Sequence, residues 1–229
     1  MSKLIDMELL KLLGFCKELL KTRDTEEYQD EVLEKSIELG KKTHDKLLIF
    51  DMDETLIAAK FGTIPKEFEK TFAYDLCGTE IQVRLRPYVN DCLTKLSSMY
   101  EIIVFTAGQQ DYADHILDYL DPDNQIFKKR LYRQDCIKVN NFYIKDLDIV
   151  LDRDKESMII VDNSIISFAF DLDNGVPINS FYGVEPDDRE LLFLYSYLEE
   201  IKDEKDVRIP IAKSFKLSQM QNSLGSSKK

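Results

Sequence analysis

From residue 46 onward, short unbroken apolar runs alternate with amphipathic stretches. "KLLIFD" (46–51), "YEIIVFT" (100–106) and "ESMIIVDN" (156–163) each contain four consecutive apolar side chains. Runs of that kind read as strands buried on both faces. A shorter strand is expected in "GVPINSF" (175–181). Helices are expected in "RPYVNDCLTKLSSM" (86–99), with Pro87 in its first turn, and in "GQQDYADHILDYL" (108–120), which stops at Asp121 and Pro122. A third is expected in "EPDDRELLFLYSYLEEI" (185–201), with acids at its start. "RLYRQDCIKVNNFYIKDL" (130–147) predicts short strands about an Asn140–Asn141 turn. Strands alternating with helices predict a parallel sheet covered on both sides.

The ends of the chain follow other patterns. Residues 1–45 predict two helices, with Leu9, Leu12, Leu13, Cys16, Leu19 and Leu20 on one face of the first. Asp24, with Glu27 three residues on, is the expected cap of the second, and Gly40 its expected stop. This extension either packs on the domain or supplies a helix-mediated partner or oligomer contact. Residues 206–229, ending in a Ser-, Lys- and Gln-rich stretch, predict a disordered tail. Residues 46–205 are left as one α/β domain.

Composition narrows the function. With 31 basic and 43 acidic residues the net charge is -12, which argues against a dedicated nucleic-acid surface. No apolar run is long enough to span a membrane, and the charged first twenty residues do not read as a signal peptide. Four scattered cysteines, Cys16, Cys77, Cys92 and Cys136, suit reduced thiols in an intracellular protein, nuclear or cytoplasmic.

Three of the predicted strands end on polar residues: Asp51 with Asp53, Thr106, and Asp162 with Asn163. In parallel α/β sheets the site lies beyond those ends. Asp51, Asp53 and Asp162 are suited to one hard divalent cation such as Mg²⁺. A carboxylate there is also a candidate nucleophile toward phosphorus, and a second acid a candidate proton donor. Lys145 is a candidate to neutralise a phosphoryl group and Thr106 to hydrogen-bond it. Singly, each has a bland reading. The aspartates, Thr55 and Thr106 suit local caps, Lys145 a solvated hairpin, and Tyr112 core packing beside Ile116, Leu117 and Leu120. Arg84, Arg86 and Arg133 are candidates to attract a phosphopeptide, with surface ion pairing the ordinary alternative.

Together the pieces "FDMDETLI", "VRLRPYVNDCL", "YEIIVFTAG", "YADHILDYLD", "LYRQDCI", "YIKDL", "IIVDNS" and "NGVPI" occur in the order found in a known group. The chain resembles the Fcp/Scp-type (small C-terminal-domain phosphatase-like) protein serine/threonine phosphatases of the haloacid dehalogenase superfamily. "DMDET" is similar to that superfamily's DxDxT motif. The resemblance implies an α/β fold: a Rossmann-like parallel sheet core of haloacid dehalogenase type, with a small β-rich insertion and no large cap domain. It implies a Mg²⁺-dependent phosphatase acting on phosphoserine or phosphothreonine in a phosphoprotein through an aspartyl phosphate. Asp51 becomes the nucleophile and Asp53 the general acid and base, with Thr106 and Lys145 also catalytic. Thr55 and Tyr112 become substrate contacts, and Asp51, Asp53, Asp162 and Asn163 the metal side. Gly108 and Ile165 depart from the usual Ser and Pro of the group. The alternatives are a small-molecule phosphatase of the same superfamily and a noncatalytic scaffold on the same fold. The segment between Ile57 and Arg84 is expected as a lid or flap, and residues 128–146 as one wall of the site.

Overall fold

The computed structural model describes residues 2–224, with side chains from residue 7 onward. Its centre is a five-stranded sheet whose adjacent strands all pair in parallel: β1 (Leu47–Phe50), β5 (Glu101–Phe105), β6 (Phe127–Leu131), β9 (Met158–Asp162) and β10 (Gly175–Pro177). Their order is β10-β9-β1-β5-β6. Leu47 is level with Glu101 on one side and with Met158 on the other. Continuing that register one residue past Phe50 sets Asp51 beside Asp162 at the carboxyl edge.

Successive strand side chains point to opposite faces, so the sheet has two cores. Leu48, Phe50, Ile102, Val104, Ile159 and Val161 face one side. There α3 (Val89–Ser97), α4 (Gln110–Leu120) and α5 (Glu190–Ile201) cover them. Leu47, Ile49, Ile103, Phe105, Met158 and Ile160 face the other. Their cover includes Leu13, Cys16 and Leu19 of α1 (Ser2–Leu19), Tyr28 and Val32 of α2 (Glu26–Glu34), and Leu217 of α7 (Leu217–Ser223). The N-terminal helices are therefore part of the fold. The cap of α2 is Thr25, whose hydroxyl accepts the Tyr28 N–H, one residue after the expected Asp24. The helix stops at Glu34, well before Gly40.

The tail expectation fails over most of its length. α6 (Arg208–Phe215) and α7 are helical, with Ile211 and Leu217 buried. Gln221 is buried too, and its amide donates to the Leu13 carbonyl at 3.3 Å. Each helix buries one narrow stripe, so a few apolar residues dock it. Residues 225–229 of the expected tail lie outside the described residues.

The segment expected as a flap is a three-stranded antiparallel sheet, ordered β2-β4-β3, of β2 (Ile57–Phe61), β3 (Phe72–Leu76) and β4 (Thr79–Leu85). Cys77 and Gly78 both have positive φ, 51° and 84°, which suits a two-residue hairpin turn. The expected hairpin at Asn140 is present as β7 (Ile137–Val139) and β8 (Phe142–Ile144). Lys128–Leu131, expected with that wall region, instead belongs to β6 of the main sheet. Its sequence FKKRL hides a strand because it lies at the sheet edge, where charges discourage further pairing.

Candidate active site

The chain leaves β1 and turns at once. Leu56 N–H donates to the Met52 carbonyl at 2.9 Å, Glu54 N–H to the Ile57 carbonyl at 2.7 Å, and Glu54 takes φ 59°. This tight loop carries Asp51 and Asp53 at the tip of β1. It is clamped from beneath by Arg86, which is buried. Arg86 donates to the Thr55 carbonyl at 3.0 Å and the Asn179 carbonyl at 2.7 Å, and forms a two-pronged pair with Asp188 at 2.9 and 2.8 Å. The surface or phosphate-attracting role considered for Arg86 is thus replaced by an internal one. An Arg following a strand of mixed polar and apolar residues and preceding Pro87 gives no local sign of this, since all its partners are distant in sequence.

Lys145, at the foot of β8, is buried and reaches two acids at once. Its ammonium donates to Asp51 Oδ1 at 2.5 Å and to Asp162 Oδ2 at 2.6 Å. Burial works against its charge, but Asp162 and Asp51 outweigh burial and raise its pKa. Burial, then the Asp51 charge, push the Asp162 carboxyl up; Lys145 and the Ser164 N–H, donating at 2.7 Å, oppose this. Asp53 is pushed up to about 6, chiefly by burial, against the hydrogen bond it accepts from the Tyr112 hydroxyl. Burial and the Asp53 charge push the Tyr112 phenol up, so it keeps its proton and donates it. The backbone of Tyr112 is held in turn by the Tyr74 hydroxyl, at 2.9 Å from its carbonyl.

The remaining expected residues fall around this centre. Thr106 is buried, and its Oγ1 accepts the Gly108 N–H at 2.9 Å, which leaves the hydroxyl proton available to another acceptor. A Cβ at position 108 would lie 3.1 Å from that Oγ1 and 3.2 Å from the Tyr112 ring, so Gly108 leaves both residues room. Asn163 donates to Glu54 Oε2 at 3.0 Å and to Ser180 Oγ at 2.9 Å, and its oxygen faces Thr55 Oγ1 at 3.5 Å. Glu54 and Ser180 were not foreseen; both act by holding Asn163. Thr55 is fully buried against Asn163 and does not line the cavity. Tyr112 does line it, bonded to Asp53.

The cavity above has a volume of about 720 Å³. Asp51, Asp53, Glu54, Asp162, Lys145 and Arg133 give it four acids against two cations, and Phe61, Leu76 and Ile81 of the inserted sheet form an apolar side. No three acidic, cysteine or histidine side chains among the described residues converge on one point as metal ligands. The Asp53 side chain turns to Tyr112, and the Asp51 and Asp162 carboxylates meet at Lys145.

Residues 46–208 match the model of the NLI interacting factor-like phosphatase family. The chain belongs to this family. It is 44% identical over 176 residues to CTD small phosphatase-like protein 2 of Dictyostelium discoideum, covering 76% of this chain and 30% of that protein. It is 36% identical over 179 residues to CTD small phosphatase-like protein 3 of Caenorhabditis elegans, covering 77% of this chain and 62% of that one. The chain thus spans less than two thirds of each relative's length. A solved structure of Fcp1, described as an essential RNA polymerase II CTD phosphatase, is similar in fold. Its TM-score is 0.50 at 20% identity, covering 89% of this chain and 57% of that one. Family membership agrees with the resemblance carried by the eight sequence pieces, and no described helix is long and apolar enough to cross a membrane.

Proposed function

We propose that the chain is a Mg²⁺-dependent phosphatase that hydrolyses phosphoserine or phosphothreonine in proteins through a phosphate ester of Asp51. The observation that carries this reading is Lys145 held between Asp51 and Asp162, with Asp53 beside them on a Tyr112 hydrogen bond. The family assignment supports phosphatase chemistry.

The donors fit a hard cation. All are oxygen, and Mg²⁺ keeps several waters, so two carboxylates and a carbonyl are enough protein. Asp51, Asp162, the Asp53 carbonyl and Asn163 are the residues proposed to hold it. When bound, Mg²⁺ supplies positive charge to the phosphoryl oxygens.

In the first step an Asp51 carboxylate oxygen attacks phosphorus. The bond to the seryl or threonyl oxygen breaks, and that oxygen takes the proton of Asp53. A carboxyl pushed up to about 6 holds a proton more readily than an ordinary aspartic acid, which suits it to donate near neutral pH. Lys145 and the Thr106 hydroxyl offset charge on the transferring group. In the second step Asp53, now ionised, takes a proton from water as its oxygen attacks phosphorus. The phosphorus–Asp51 bond breaks, releasing phosphate and restoring both carboxyl groups. Tyr112 keeps Asp53 aimed through both steps.

The test is turnover of an aryl phosphate and of a phosphopeptide array by the full chain, with chelator and with Mg²⁺ restored. Activity lost in chelator, regained with Mg²⁺ and favouring phosphopeptides is the expected outcome. Full activity in chelator sinks the metal role; fast turnover of small metabolites with none on peptides favours the small-molecule alternative.

A further inference from the structure

The catalytic cavity does not stand alone. Gln109 and Arg133 on its rim also line a second bay of about 440 Å³, completed by Glu31, Lys35, Gln134, Cys136, Lys138 and Tyr143. Glu31 and Lys138 in turn line a third bay of about 280 Å³, against Thr25 and Tyr28 of the N-terminal helical layer and Asn140 of the hairpin. By these shared residues the three bays lie in series, a trench in outline, from Asp51 to α2. A small metabolite would fill the first bay alone, whereas an extended chain could follow all three.

The middle bay has an unusual charge. The protein carries a net -12, and Arg23, Arg86, Arg130, Arg153 and Arg208 all pair with acids. In the bay three cations, Lys35, Arg133 and Lys138, meet one acid, Glu31. That acid is already engaged, by Lys35 at 2.6 Å and by the Lys138 N–H at 3.3 Å. Arg133 and Lys138 are exposed, and neither has a carboxylate partner among the described residues. Arg133 is fixed all the same: its Nε donates to the Ala107 carbonyl at 2.6 Å, and its guanidinium lies over the Tyr143 ring, 5.2 Å from the centroid.

We infer that the trench is the path of the substrate chain and that its middle bay takes an acidic segment of that chain, to one side of the phosphorylated residue. This rests on the phosphoprotein reading above. Lys138 acts as a specificity residue remote from the chemistry, with Arg133 between it and the catalytic cavity. In a protein of net charge -12, an acidic peptide is drawn to a bay in which cations outnumber acids. Side-chain carboxylates and a second phosphoserine share the required chemistry.

The experiment uses the full chain and phosphopeptides that share one phosphoserine. Alanine, glutamate, phosphoserine or lysine is placed two to five residues before or after it. The wild type is expected to favour the glutamate and phosphoserine flanks on one side only, with the difference in KM. The larger of the two effects identifies the natural source of charge. Lys138→Glu should cost roughly three- to tenfold in kcat/KM on those peptides, the range expected when an exposed ion pair becomes a repulsion. It should leave aryl phosphate turnover and melting temperature unchanged. Binding of the same labelled peptides to Asp51→Asn, with and without Lys138→Glu, is read by fluorescence anisotropy and does not depend on turnover. If aryl phosphate is not hydrolysed, the phosphatase reading fails and anisotropy alone decides the trench. Equal binding of acidic and alanine flanks, or an acidic preference unchanged by Lys138→Glu, overturns the inference.

Discussion

At Asp53 one carboxyl is shaped by burial and by one hydroxyl. Burial pushes its pKa up to about 6, and the Tyr112 hydroxyl fixes its direction. The proposed chemistry separates it from Asp51, which makes the bond to phosphorus. Asp51→Asn should abolish turnover and leave no covalent adduct. Asp53→Asn should slow turnover of seryl phosphate by about two to four powers of ten, the usual worth of general acid–base assistance. With an acyl phosphate, whose leaving group needs no proton, Asp53→Asn should still load Asp51 and then stall, so the adduct accumulates. Intact mass after rapid quench reads this; an adduct on Asp53 would reverse the assignment. Tyr112→Phe removes one hydrogen bond to a charged group, worth about 1.5–3 kcal/mol. It should lower kcat roughly ten- to a hundredfold while Lys145 keeps both its acids. A kcat unchanged within twofold would show that Asp53 needs no such partner.

At the scale of elements, α6 and α7 change what a truncation should do. Polar composition alone suggests that residues beyond about 206 are dispensable. Ile211 packs into one core and Leu217 into the other, and Gln221 bonds to α1. Burying a Leu or Ile side chain is worth about 1.5–3 kcal/mol. Ending the chain at residue 207 should therefore cost about 3–6 kcal/mol in urea unfolding and lower the melting temperature. A midpoint unchanged by the deletion would mean that the two helices contribute little to the native state. The β2–β4 insertion makes the opposite point. Its strands carry Lys60, Glu80 and Arg84 between apolar positions and are only partly buried, so they lack the solid apolar signature of the central sheet.

The whole molecule depends on closing both faces of the sheet. Removal of residues 1–44 strips Leu13, Cys16, Leu19, Tyr28 and Val32 from one face. The remaining chain should be insoluble or bind a hydrophobic dye strongly; a soluble monomer with native melting behaviour would show that this face tolerates water. At the opposite end of β5 from the site, Glu101 is buried with Arg153 at 2.7 Å, close to Lys128 and the Thr43 N–H. Burial alone would raise its pKa, but Lys128, Arg153 and the Thr43 N–H outweigh it and hold the carboxyl below its ordinary value. A depressed folded-state pKa contributes stability that is present above the unfolded-state value and lost as pH falls through the folded-state value. Glu101→Gln removes the charge that Arg153 and Lys128 share, while Arg153 keeps Asp152 at 3.0 Å, so it should cost about 1.5–3 kcal/mol near neutral pH. The difference from wild type should shrink below about pH 4, near the ordinary glutamate value. A gap that stays constant down to pH 3 would point to packing in place of charge.

The sequence by itself determined the parallel sheet and the edge at which the site lies. Continuous apolar runs ending in Asp51, Thr106 and Asp162 are local facts, legible without any distant partner. It also determined the Asn140 hairpin, because a turn is made by the residues in it. Tertiary structure alone decided that Lys145 bridges Asp51 and Asp162, partners 94 and 17 residues away. It alone decided that Arg86 clamps the Asp51–Asp53 loop from inside, and that Tyr112, equally suited to the core or to a ligand, bonds Asp53. It alone made β6 a strand of the main sheet, because pairing with β5 can hold a charged segment that has no apolar run of its own. And it alone folded the polar C-terminal helices, since a narrow apolar stripe becomes stabilising only where two cores stand ready to receive it.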